Sequence, residues 1–367
     1  MSAPSAAKLQ RNQLIADRKK KWFPFLVSIL VILLMVSVTA AVTKGPVAMS
    51  AVRAWKIILF QVPWIGQWVE PDWTQAQAHI IWNIRLPRVL LGAVVGAGLS
   101  AAGVVIQALV RNPLADPYIL GVSSGASVAA ALVLLFGAFS FLGPYSLSIG
   151  AFFGAACSMV LVYMLAKIGG KILTSRLLLA GIAVSLTMSA ATNFIVTMAP
   201  RDAEIREAMF WMMGSLAGAK WEYVGAPATF ILLCSLFLLL YSETLNALLM
   251  GEEAANTLGV NTELFRKVLI IILSLMTGAV VAVSGSIGFI GLMIPHIARF
   301  LTGSDHKRVL PVSLLLGMLM VIWSDTIART LFAPQELPIG VVTALCGGPF
   351  FIWLLRRSSY AFGGVRS

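Results

Sequence analysis

The chain has 367 residues, of which 59% are hydrophobic and only 11% charged, whereas an ordinary soluble domain carries about 25% charged residues. That composition excludes a water-soluble globular domain and indicates a chain threaded repeatedly through lipid. The formal charge of +12 would also suit nucleic acid, but its distribution along the chain assigns it to membrane sidedness.

A hydrocarbon core about 30 Å thick calls for roughly 20 apolar residues per helix. Ten such runs are predicted: 24–43, 89–110, 118–138, 146–166, 177–198, 225–242, 268–286, 288–302, 309–332 and 338–355. None alternates apolar with polar residues as a membrane β-barrel strand would. The fold class expected is therefore an all-α polytopic membrane protein of ten transmembrane helices. A basic segment, residues 1–23, precedes the first run. That run is longer than the roughly 7–15 apolar residues of a cleaved signal, so it is read as the first helix of a ten-helix transmembrane domain spanning 24–357, followed by a tail, 358–367.

Small residues recur at four-residue spacing along the next three runs: Gly92, Gly96 and Ser100, then Gly121 and Gly125, then Gly150 and Gly154. Such spacing lets helix backbones approach closely in lipid. Between the second and third runs, RNPLADPYILGVSSGAS (111–127) places Asn112 and Asp116 each before a proline, which favours a turn over helix. Segments 44–88 and 199–224 are the longest outside the membrane, and the first holds Trp55, Trp64, Trp68, Trp73 and Trp82, as interfacial anchors would. The eighth run is short, but 268–302 is too long for one span. Ser284-Gly285-Ser286-Ile287-Gly288 supplies the small residues for a reversal between two. An echo at an offset of 182 pairs Gly96 with Gly278, Gly103 with Gly285, Pro113 with Pro295 and Gly121 with Gly303, as an inverted repeat would. Cys157, Cys234 and Cys346 all lie inside apolar runs, where buried packing is the default and a disulfide framework is not expected.

Basic residues gather in cytoplasmic loops. With the N-terminus inside, that side holds eighteen Lys and Arg against seven acids, and the outer side eight against seven. If 268–302 were one span, Arg356 and Arg357 would face outward against this rule. Both tails are therefore expected in the cytoplasm.

Catalytic chemistry is missing. Gly169, Gly170 and Lys171 do not form a phosphate loop, since Leu165 replaces the first glycine and Ile172 the magnesium-binding hydroxyl. His79, His296 and His306 show no metal-ligand spacing. The charges read as intramembrane are Asp325 and Arg329, which at i, i+4 share a helix face. They either neutralise each other or form a proton or ion relay, as in an ion-coupled secondary transporter.

Three blocks carry a family likeness: RLPRVLLGAVVGAGLSAAGVVIQALVRNPLADPYILGVSSGAS (85–127), GFIGLMIPHIARFLTGSDHKRVLP (288–311) and ELPIGVVTALCGGPFFIWLLRR (336–357). They resemble the FecCD-type permeases, membrane subunits of type II ATP-binding-cassette importers for ferric siderophores, haem and cobalamin. The resemblance implies a non-enzymatic subunit that binds no cofactor itself, ATP and magnesium belonging to separate ATPase subunits. It also implies a second permease subunit, identical or related, and a periplasmic or lipoprotein binding protein. Membrane lipid is the remaining partner, and nucleic acid is not one. A ferric siderophore is the expected cargo, with haem or cobalamin as alternatives.

The resemblance further assigns ATPase coupling to the loop 246–267, where Leu248, Gly251, Glu252, Glu253, Ala255, Leu258 and Gly259 are the candidates. Leu248, Leu249, Ala255, Leu258 and Val260 offer apolar surface, Gly251 and Gly259 break short helices, and the two glutamates suit a helix start. Arg53, Lys56 and Arg201 are candidates for docking the binding protein. Arg85 and Arg88 match the family's RLPR wording but are read as interface anchors. Ser123, Ser124, Ser185, Asn193 and Thr343 are candidates for a mildly polar, uncharged translocation path.

Overall fold

A computed structural model describes residues 6–357 apart from 46 and 169–170, with side chains for 21–356 except 46 and 168–172. The tail 358–367 lies outside the described residues. The helices in chain order are α1 (Ala6–Thr43), α2 (Ala51–Phe60), α3 (Gln75–His79), α4 (Leu86–Val110), α5 (Val122–Phe136), α6 (Ser146–Ala166), α7 (Thr174–Thr197) and α8 (Asp202–Met212). They continue with α9 (Gly225–Leu240), α10 (Ser242–Met250), α11 (Glu252–Thr257), α12 (Thr262–Ser284), α13 (Ile290–Thr302), α14 (His306–Thr330) and α15 (Ile339–Arg357). Two-residue strands, Lys167–Ile168 and Lys171–Ile172, pair antiparallel between α6 and α7.

Each of the ten predicted runs is helical. Among the described residues, eight helical stretches are long and apolar enough to cross a membrane, whereas α5 and α13 are shorter apolar helices. With 13 residues, α13 reaches about 20 Å at 1.5 Å per residue, less than a hydrocarbon core. The first helix extends back to Ala6, so most of the basic segment read as a tail continues the helix.

Packing follows the small residues. A Cβ at Gly96 would overlap the carbonyl oxygen of Gly317, and one at Gly317 that of Gly96, so α4 and α14 touch backbone to backbone. Gly125 and Gly154 hold α5 against α6 in the same reciprocal way. The central post is α4, buried on nearly every side, which accounts for its apolar residues on all faces. The predicted reversal occurs at Gly285, whose φ of +64° ends α12, with Phe289 at φ +70° opening α13.

Of the echo, Gly121 and Gly303 share a positive φ, at +77° and +90°. Gly103 stays inside α4 while Gly285 ends α12, and Pro113 lies in a loop while Pro295 sits within α13. The cysteines divide against expectation, Cys234 being buried and Cys157 and Cys346 exposed. An apolar helix in lipid has no need to turn a thiol inward.

Candidate transport machinery

The loops expected on one side of the membrane do meet at one end of the bundle. Arg111 lies 3.9 Å from Glu252, Lys307 pairs with Glu243, and Arg266 pairs with Glu252. A cleft of about 710 Å³ opens there between Leu173–Ser175 and the segment from Glu252 to Arg266. This end carries α10 and α11 and is called the coupling face.

Tyr241 and Asn261 flank the two short helices α10 and α11. Gly251, at φ +115°, separates α10 from α11, and Gly259, at φ +82°, follows α11. Glu252 and Glu253 occupy the first turn of α11, where the helix dipole favours them. The apolar candidates split. Leu248 and Ala255 are buried and hold the loop to the bundle, whereas Leu249, Met250 and Leu258 are exposed. The outward apolar surface is therefore Leu249, Met250 and Leu258, since successive residues of a helix point about 100° apart. Met250, the last residue of α10, joins this surface by its exposure.

Two aspartates in segments that connect the spans have shifted carboxyls. Burial pushes Asp116 up to about 6, against the hydrogen bond it accepts from the Tyr118 N–H. Burial also acts to raise Asp305, but hydrogen bonds from Asn246 and the Lys307 N–H, with the charges of Arg308 and Lys307, hold it below the usual carboxylate value.

The path candidates lie on different faces. Ser123 donates to Ser286 Oγ at 2.7 Å, tying α5 to the reversal before α13. Ser124 and Ser185 are half-buried and Asn193 is exposed. Thr343 is fully buried and donates to the Gly340 carbonyl at 3.1 Å, so it lines no surface of this chain. The helix that does present a polar surface is α7, the least buried of the eight long spans. Ala183, Thr187, Ala190, Asn193 and Thr197 are exposed on it at spacings of three and four. A helix meeting lipid alone has no use for such a stripe.

At the opposite face, Lys56 pairs with Asp72 at 3.1 Å and Arg201 with Glu204 at 3.3 Å, while Arg53 is half-buried. Exposed pairs of this kind are weak, so both cations remain open to a competing carboxylate. Trp64 and Trp68 stand clear of the protein, as interfacial anchors would. Trp55 instead donates to Thr39 Oγ1 at 3.1 Å, and Trp82 packs at a tilt against Trp221, whose Nε1 donates to the Trp82 carbonyl at 2.8 Å.

The arginines beside them are not interface anchors. A π-helical turn, Ile80–Arg85, leads into α4 and turns both Arg85 and Arg88 into the protein. Arg88 Nη2 lies 2.8 Å from Asp325 Oδ1, and its Nη1 and Nη2 grip both Glu336 oxygens at 3.0 and 2.9 Å. Arg329 sits 3.6 Å from Asp325, so the expected i, i+4 pair is the lesser contact. It donates mainly to the Lys44 and Ala41 carbonyls. Arg85 donates to Val42, Thr43 and Val47 carbonyls at 3.0, 3.0 and 2.6 Å. The last carbonyls of a helix lack partners of their own, so Arg85 and Arg329 together close the end of α1. Asp325 is fully engaged and near a helix end, an arrangement unlike a mid-membrane proton relay.

The FecCD transport family matches residues 30–357. The chain is 39% identical to the hemin transport system permease protein of Yersinia pestis over 330 residues, 89% of this chain and 94% of that one. It is 43% identical to the cobalamin import system permease protein of Halobacterium salinarum over 277 residues, 76% of this chain and 73% of that one. Among solved structures, a metal-chelate type ABC transporter in an inward-facing conformation superposes with a TM-score of 0.78 at 32% identity, covering 91% of this chain and 100% of that one. The chain belongs to the FecCD transport family and is a multi-pass, non-enzymatic permease subunit of an ABC importer.

Proposed function

We propose that this permease passes a ferric siderophore inward across a bacterial inner membrane, with the coupling face in the cytoplasm. The observation that carries this reading is the exposed stripe Ala183, Thr187, Ala190, Asn193 and Thr197 on α7. It is small, mildly polar and uncharged, and it offers no His, Cys, Tyr or carboxylate to iron. Such a surface suits cargo that keeps its own complete ligand shell, sliding past without being seized. Ser124 and Ser185 extend the path, facing a second permease subunit, identical or related, across it.

The engine is a pair of ATPase subunits holding ATP and magnesium. They meet Leu249, Met250 and Leu258 beside Gly251, Glu252, Glu253 and Gly259. A soluble or lipid-anchored binding protein docks on the opposite face through Arg53, Lys56 and Arg201, where screened charges act mainly on orientation and association rate.

Haem is the second reading, because the Yersinia pestis relative that matches over most of its length is named for hemin transport. Proteoliposomes holding the permease, its ATPase and its binding protein decide between them. ATP-dependent uptake of a radiolabelled ferric siderophore supports the proposal. Uptake of haem or cobalamin alone replaces the cargo, and uptake driven by a proton or sodium gradient without ATP overturns the engine.

A further inference from the structure

The coupling loop is joined to the bundle by more than its own chain ends. Asn246, on α10, faces the start of α14. Its Nδ2 donates to Asp305 Oδ1 at 3.0 Å, and its Oδ1 accepts the His306 backbone N–H at 2.9 Å. That N–H can only donate, which fixes the amide's orientation. The His306 ring nitrogen Nδ1, 2.6 Å from the same Oδ1, must then carry the proton. His306 is fully buried. Asp305 in turn caps α14 by accepting the Lys307 N–H at 3.1 Å.

One continuous helix, with Pro311 in its second turn, leads away from this joint. With 25 residues, α14 spans about 37 Å at 1.5 Å per residue. At its far end Asp325 and Arg329 hold α4 through Arg88 and the end of α1, and Arg88 in turn holds Glu336, three residues before α15 begins. We infer that Asn246 is the positioning residue through which a displacement of the ATPase-bound loop enters α14 and reaches the opposite face. The alternative route is the covalent one, from α11 through Asn261 into α12. This inference rests on the ATPase partner proposed above.

The test exchanges the partners. Asn246→Asp keeps the acceptor for His306 but sets a carboxylate against Asp305 in place of the donor. Adding Asp305→Asn removes the carboxylate repulsion and supplies a donor from Nδ2, leaving Oδ1, which in the parent serves both Asn246 and Lys307, to cap α14, which asparagine does as well as aspartate. An environment-sensitive fluorophore is placed on Leu331→Cys, an exposed position just past α14, with the exposed Cys157 and Cys346 changed to serine. The permease and ATPase complex is then treated with ATP and vanadate.

The expected result is a nucleotide-dependent signal that falls about tenfold in Asn246→Asp, the scale of losing a buried hydrogen-bonded joint. ATP hydrolysis stays within about twofold, and the double exchange recovers the signal. A full signal in the single variant assigns the stroke to α12 and overturns the inference. So does a double variant as silent as the single one, or ATPase binding lost in both, which would make Asn246 a docking residue. Absence of any signal in the unaltered complex instead sinks the ATPase reading itself.

Discussion

Arg88 and Asp325, 237 positions apart, form a buried ion pair in which Arg88 Nε reaches both Asp325 oxygens at 2.9 and 3.1 Å. Breaking one partner of a buried pair costs about 3–5 kcal/mol, because the other charge is left in a low-dielectric site. Arg88→Met is therefore expected to lower the melting temperature of the purified permease sharply. Glu336 is partly exposed and can turn to water, but Asp325→Leu also takes the carboxylate from the buried Arg329, so Arg88→Met with Asp325→Leu should recover only part of the loss. A single variant as stable as the parent would show that the cluster carries no stability.

The α4–α14 seam allows a cleaner steric test. A methyl at Gly96 meets backbone of Gly317, which cannot swing aside as a side chain can. Gly96→Ala is expected to destabilise by about 1–3 kcal/mol, the cost of overpacking. Gly218→Ala, where nothing lies within 4 Å of the added carbon, should be close to neutral. Thermal melts of the two variants side by side check the pair.

What could be read from the chain alone depended on which signals lipid preserves. Helix positions survive because a bilayer demands length and apolarity, and the runs 146–166 and 225–242 fall on α6 and α9 nearly residue for residue. The grouping of loops by charge also survives, as Arg111, Glu252 and Asp305 show. Rotation about the helix axis does not, because in lipid both the buried and the outward faces are apolar. That is why Thr343 was expected on a surface and lies inside, and why Leu248 and Leu258 were not told apart. Arg88 was lost for another reason. Asp325 and Arg329 offered a local pair at i, i+4, while the stronger partners stood 237 and 248 positions apart. A tally of Arg88, Asp325 and Glu336, each without a nearby opposite charge in sequence except the Asp325–Arg329 pair, was the available hint.

On the coupling face, burial separates two leucines of similar sequence context. Leu258 is 65% exposed and Leu248 3%. Leu258→Asp is expected to insert and melt like the parent while losing ATPase binding and ATP-driven uptake. Leu248→Asp buries a charge with no partner and should fail at folding instead. Fluorescence-detected size exclusion followed by ATPase pull-down separates the two outcomes. Gly259→Trp, at a position with φ +82° and open space around it, tests the same surface by strain and bulk. Normal ATPase binding by Leu258→Asp would remove the leucine from the contact.

Asp116 provides a pH dependence of definite sign. Its carboxyl titrates near 3.8 when freely hydrated and about 6 in the folded chain, where burial disfavours the charge. As pH climbs between those values the unfolded chain gives up the proton first, so the folded state holds more protons and stability falls as pH rises. The penalty is complete above about pH 6 and absent below about pH 4. Its ceiling is about 3 kcal/mol at 1.36 kcal/mol per pKa unit, and because the residue is only half-buried water reduces it to about 1–2 kcal/mol. Asn at this position accepts the Tyr118 N–H equally well and carries no charge. Asp116→Asn should therefore melt higher than the parent at pH 7.5 and at the same temperature at pH 4. A parent that is the more stable of the two at pH 7.5 would show that the carboxylate is ionised and held by a partner.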